Sequence, residues 1–128
     1  LYEGDNDLAS GRTTDDVMRS FRAFVTRVHA VVPAARVYVI SAKPSPSRAH
    51  LDAQFDELNR QFKDACGADG RLHFIDIRPC MYTDDGMLRD EFFQEDGLHM
   101  SRAGYEAWRD LIRPVLLENE GPLPLGHT

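Results

Sequence analysis

Apolar residues recur at helical spacing in three stretches of the chain and run compactly in two others. Val17, Phe21, Phe24, Val25, Val28 and Val31 follow a 3.6-residue period. Thr13 or Thr14 is placed to cap that helix, Asp15 and Asp16 lie in its first turn where the dipole favours carboxylates, and Pro33 stops it. Leu51, Phe55, Leu58 and Phe62 predict a second helix over about 48–65, ended by the glycines at 67 and 70. Tyr105, Trp108, Leu111 and Ile112 predict a third, capped by Ser101, with Pro114 expected to kink or restart it near Arg113. Between them, 36–41 (Arg-Val-Tyr-Val-Ile-Ser) and 72–77 (Leu-His-Phe-Ile-Asp-Ile) are the short apolar runs of strands, the first of them buried on both faces. Residues 1–3 read as the end of an earlier strand, and 4–6 as the loop at its carboxyl end. The stretch 43–47 is a loop whose two prolines exclude regular structure. The stretch 78–95 is loop-rich, with a turn at Asp84-Asp85-Gly86 and a short helical piece over 88–93.

Strand, helix, strand, helix, strand, helix is the order that crossover connections impose on parallel strands. The pattern therefore predicts an α/β fold, a three-layer α/β/α arrangement around a parallel sheet. Residues 1–120 are expected to belong to one domain, and the Gly/Pro-rich tail 121–128 to fray. Functional groups of such sheets gather at the carboxyl ends of the strands. Asn6 follows the first strand and Asp96 and His99 follow the third, so all three are expected on one rim.

Charge and composition narrow the partners more than the fold. A net charge of −6 argues against nucleic acid or an anionic membrane as the principal partner. No apolar run approaches the roughly 20 residues of a membrane span. Cys66 and Cys80 stand in no metal-binding spacing, so no metal site is expected and two free thiols are favoured over a bridge. His29, His50, His73 and His127 form no spaced cluster and read as solvated or packed side chains.

The chemistry concentrates at Asp96-Gly97-Leu98-His99. A carboxylate three residues before a histidine can accept the Nδ1 proton and leave Nε2 free as a base, which is two thirds of a nucleophilic triad. At the other end stands Gly4-Asp5-Asn6-Asp7. The two blocks together resemble the SGNH (GDSL-type) hydrolases, whose third block reads Gly-x-Asn-Asp and whose fifth reads Asp-x-x-His, often with the Gly-Tyr seen here as Gly104-Tyr105.

That resemblance implies a flavodoxin-like SGNH-hydrolase fold, here its C-terminal three strands. It implies ester hydrolysis with Asp96 and His99 as the acid–base pair, Asn6 as oxyanion donor, Gly4 and Asp7 as the supporting loop, and neither metal nor organic cofactor. The family's Gly-Asp-Ser and glycine blocks have no counterpart upstream of Gly4. The chain is therefore expected to be the C-terminal portion of such a hydrolase, with no nucleophile of its own and little activity when assayed alone. Ser41, at a strand end but without a Gly-x-Ser-x-Gly elbow, is the weak internal candidate. An exposed first strand would pair with the missing N-terminal segment or with a second copy, and a lone monomer is expected to be poorly stable. The alternative is a non-catalytic pseudo-enzyme or flavodoxin-like binding module in which the Asp96/His99 turn is only structural.

Overall fold

The computed structural model describes residues 1–121, so the expected fraying of the tail lies outside the described residues apart from Gly121. The chain runs through α1 (Asp5–Ala9), α2 (Thr14–Val31), β1 (Val37–Ile40), α3 (Asp52–Gly67), β2 (Leu72–Ile75) and α4 (Arg102–Glu120). Three short 3-10 turns, Pro46–Leu51, Arg78–Met81 and Asp90–Phe92, interrupt the connections.

β1 and β2 are parallel neighbours, with Val37 opposite Leu72 and Ile40 opposite Ile75. The first strand is reduced to a single parallel bridge from Tyr2 to Ile40, held by the Ile40 N–H on the Leu1 carbonyl at 2.9 Å. Alternation along the strands then divides the core. Val37, Val39 and Leu72 join Val17, Met18 and Phe21 of α2 and Phe55, Leu58 and Phe62 of α3 on one face. Ile75, with Tyr38 and Ile40 packed against it, joins Met81, Phe93, Met100 and Trp108 on the other. Period-two strands between period-3.6 helices give three layers, as the pattern requires. Cys66 belongs to the first cluster and Cys80 packs against the second, so the sheet separates the two free thiols.

Local chemistry explains most boundaries. Thr13, not Thr14, caps α2, through a reciprocal pair in which its Oγ1 accepts from the Asp16 N–H and its own N–H donates to the Asp16 carboxylate, both at 3.1 Å. Ser101 caps α4 by accepting from the Gly104 N–H at 3.2 Å.

Four expectations are corrected. Residues 5 and 6 open a helical turn, α1, rather than finishing a loop. The helix expected from residue 48 begins as a 3-10 turn at Pro46, because a proline at the first helical position forfeits no hydrogen bond. The strands end at Ile40 and Ile75: the Ser41 N–H makes a last main-chain bond to the Ile75 carbonyl at 2.9 Å, and the Ile77 N–H then goes to the Ser41 hydroxyl instead of to a main-chain carbonyl. α4 runs unbroken through Pro114, whose packed neighbours Leu111, Ile112 and Val115 hold the helix against the sheet despite the missing N–H.

Candidate active site

At the carboxyl end of the sheet, Asp96 organises a tight turn with both of its oxygens. Oδ1 accepts the N–H groups of Leu98 and His99, each at 2.9 Å, and Oδ2 lies 2.5 Å from His99 Nδ1. The turn needs a left-handed residue at its centre, which Gly97 supplies at φ 64°. These bonds, that from His99 first, hold the Asp96 carboxyl down at about 2, well below the usual carboxylate range. With Nδ1 engaged, Nε2 is the free nitrogen, and the His99 side chain is 68% exposed.

The turn is gripped from both sides. The Gln94 N–H donates to the His99 carbonyl at 2.8 Å, and the Gln94 side-chain amide to the Met100 carbonyl at 3.1 Å. Opposite, the Ser47 N–H donates to the Gly97 carbonyl at 3.0 Å and the Ser47 hydroxyl to the Asp96 carbonyl.

Asn6 approaches from the first strand. Gly4 precedes it at φ 109°, and a Cβ built there would fall 2.5 Å from Leu58 Cδ2. A Gly4→Ala variant is expected to lose about 2 kcal/mol of stability, from the left-handed backbone and the displaced leucine together. A loss below about 0.5 kcal/mol in chemical denaturation would contradict that reading. Asp7 supports the segment through its main chain: its carbonyl accepts from the Ser10 hydroxyl at 2.9 Å and the Arg12 N–H at 3.0 Å.

Asn6 and His99 line one cleft of about 260 Å³, with Tyr2, Asp5, Lys43, Leu98, Met100, Tyr105 and Trp108. Asp96 stands behind His99 in that arrangement. A larger groove of about 750 Å³ lies between α2 and the end of α3, lined by Val25, Ala65 and Leu72. Its one histidine, His29, is tied to the Ala35 carbonyl at 2.9 Å, and its one carboxylate, Asp69, is taken by the Arg71 guanidinium at 2.8 Å. Ser41 lies in neither. It is fully buried, and its hydroxyl accepts the Ile77 N–H at 2.9 Å, which makes it a fastening at the sheet end rather than a reachable nucleophile. Among the described residues no group of three or more His, Cys, Asp or Glu is placed to hold a metal ion.

The sequence pattern missed the charges behind the cleft. Asp5 is buried and receives Lys43 Nζ on Oδ2 at 2.6 Å and Arg48 Nη1 on Oδ1 at 2.9 Å, so one carboxylate sits between two cations. The Tyr2 hydroxyl lies 3.4 Å from the same carboxylate, and burial pushes its titration upward. The Tyr2 ring packs on Trp108 at 5.6 Å, closing the aromatic wall. Where β1 ends, buried Asn59 of α3 takes the Ala42 N–H at 2.7 Å and donates to the Ala42 carbonyl at 3.1 Å. That fastening fixes the start of the loop carrying Lys43. One signal was available: charged residues flanking a two-proline loop at the carboxyl end of a predicted parallel strand stand where such sheets place their sites.

Platelet-activating factor acetylhydrolase IB subunit alpha1 of Rattus norvegicus is 29% identical over 134 residues, an alignment that takes in 100% of this chain and 56% of the relative; the Mus musculus protein matches equally. The chain thus spans little more than half the length of these curated relatives. In fold, it superposes on a Streptococcus pneumonia protein provisionally named a platelet activating factor with a TM-score of 0.81 at 21% identity, covering 91% of this chain and 57% of that one. It superposes on the esterase domain of the zebrafish ZfL2-1 ORF1 protein with a TM-score of 0.68 at 25% identity, covering 87% and 67%. The sequence model of the GDSL-like Lipase/Acylhydrolase family matches residues 1–107, and the chain belongs to that family.

Proposed function

We propose that this chain is the part of a serine-dependent ester hydrolase that carries its acid–base pair, Asp96 and His99, and its oxyanion donor, Asn6. One observation carries the reading: an exposed imidazole, oriented by a carboxylate on Nδ1, shares a cleft with a side-chain amide from the opposite end of the sequence.

In this reading His99 Nε2 takes the proton from a serine hydroxyl as that oxygen attacks the acyl carbon, and then returns it to the departing alkoxide. Asp96 keeps the imidazole in the productive tautomer and stabilises the imidazolium. The Asn6 amide donates to the carbonyl oxygen as it gains negative charge. The serine is supplied by polypeptide outside these 128 residues, since the cleft has no serine among its lining residues and the curated relatives are longer than this chain. Pairing of that polypeptide, or of a second copy, along the edge at residues 1–3 would complete the sheet. The wall of Leu98, Met100, Tyr105 and Trp108 suits an apolar part of the ester, and the rodent relatives' name, an acetylhydrolase, favours a short acyl group.

The test is covalent labelling with a fluorophosphonate. The complete protein is expected to be labelled on a serine, and the 128-residue chain alone to remain unlabelled. Labelling of Ser41, or hydrolysis of a short acyl ester by the complete protein without labelling, would refute the proposal.

A further inference from the structure

We propose that Ser47 and Arg48 form a positioning clamp that sets the spacing between the Asn6 amide and the Asp96–His99 pair. The inference rests on the assignment of those groups as oxyanion donor and acid–base pair. Two consecutive residues hold the two halves of the cleft. Ser47 binds the Asp96 turn, its N–H on the Gly97 carbonyl at 3.0 Å and its hydroxyl on the Asp96 carbonyl, 49 residues away in sequence. Arg48 binds the Asn6 turn, with Nη1 on the Asp5 carbonyl at 3.1 Å and on Asp5 Oδ1 at 2.9 Å, and Nη2 on Asn6 Oδ1 at 3.4 Å.

The packing leaves little slack. A Cβ placed on Gly97 would stand 3.1 Å from the Ser47 hydroxyl and 3.3 Å from Pro46 Cβ, so the dyad's turn rests directly on the clamp. Pro46 opens the 3-10 turn with a fixed φ, and Ser45 before it is fully buried, which anchors the clamp to the body of the fold. The guanidinium takes the oxygen of the Asn6 amide. Its nitrogen is then the end left to face the cleft, and the amide cannot flip without forfeiting that bond. A lysine cannot reproduce this, because one point charge does not span a carbonyl, a carboxylate and an amide as a planar fork does. Lys43 continues to neutralise Asp5 when Arg48 is changed, so such a variant keeps its buried carboxylate paired.

The clamp acts through geometry, and misplacement by about 1 Å can cost about a hundredfold in rate. With the complete protein and a p-nitrophenyl ester of a short acid, Arg48→Lys is expected to lower kcat about 30- to 100-fold while KM stays within about threefold. Ser47→Ala is expected to lower kcat about 3- to 10-fold, and Ser47→Thr to restore most of it. In an Asn6→Ala background the Arg48→Lys factor is expected to shrink below about threefold, because the clamped donor is gone. Factors that simply multiply, or an Arg48→Lys enzyme within about threefold of the parent, would overturn the clamp and leave the oxyanion assignment standing. If Asn6→Ala alone stays within about threefold of the parent, the oxyanion assignment fails instead. The clamp is then decided by the NMR signals of the Asn6 side-chain amide. A dispersed pair that collapses to random-coil positions in Arg48→Lys supports it, and an unchanged pair overturns it.

Discussion

Replacing His99 by Ala in the complete protein is expected to lower kcat/KM toward a short acyl ester by about 10⁴- to 10⁶-fold, with the thermal midpoint nearly unchanged. The two halves of that expectation have separate physical grounds. The rate falls because a serine hydroxyl is a poor nucleophile at neutral pH without a base to take its proton, and no second imidazole lines the cleft. The stability holds because His99 is exposed and the turn is built mainly from main-chain groups, with the Leu98 and His99 N–H donors on Asp96 and the Gln94 and Ser47 N–H donors on the carbonyls of His99 and Gly97. Alanine at residue 99 keeps every one of those. Asp96→Asn is expected to cost about 10³- to 10⁴-fold by presenting the wrong partner to Nδ1. Asp96 also sets a sign in pH. Its folded carboxyl titrates at about 2, below the ordinary 3.8, so what it contributes to the turn is fully present above pH 3.8 and lost as the pH falls through about 2. An acid limb in the rate profile between about pH 4 and 8 therefore belongs to another group. A His99→Ala enzyme retaining a tenth of the parent rate would remove the imidazole from the chemistry.

Most of the layering was legible in the sequence because it rests on periodicity. Val37 and Val39 alternate with Tyr38 and Ile40, and that two-residue beat assigns them to opposite helical layers, as found. Asp96 and His99 were legible because their interaction is local, spanning one turn, so spacing alone predicts the contact. Arg48 was not. Its partners lie 42 and 43 residues away, and no local pattern marks a guanidinium that crosses from a 3-10 turn to a different strand end. Lys43 was hidden for a related reason. A lysine in a proline-rich loop reads as solvated, whereas here the carboxylate of Asp5 makes its burial tolerable. The shift of Asn6 from loop to helix has the same origin, since a five-residue helix carries too few positions to show a period.

Asn6→Ala separates an oxyanion donor from a helix-start residue, because the two roles move different observables. As a residue in the first turn of α1, Asn6 is exposed, and alanine has the higher helix propensity. A purely structural asparagine there is expected to be replaced with little change in stability or rate. As the donor to a developing oxyanion, it is expected to cost about 10² to 10³ in kcat, about 3–4 kcal/mol of transition-state stabilisation, with KM within a few-fold. The asymmetry arises because the ground-state carbonyl is weakly basic, so the amide gains most of its interaction only as charge accumulates on the oxygen. Asn6→Asp sharpens the distinction. A carboxylate would attract the Arg48 guanidinium that now takes the amide oxygen, holding the fold, while repelling the charge the amide nitrogen would have received. It is expected to be slower than the alanine variant and no less stable. A kinetic series in which Asn6→Asp is the faster of the two would mean that negative charge does not build up at this end of the cleft, and that the carbonyl oxygen lies elsewhere.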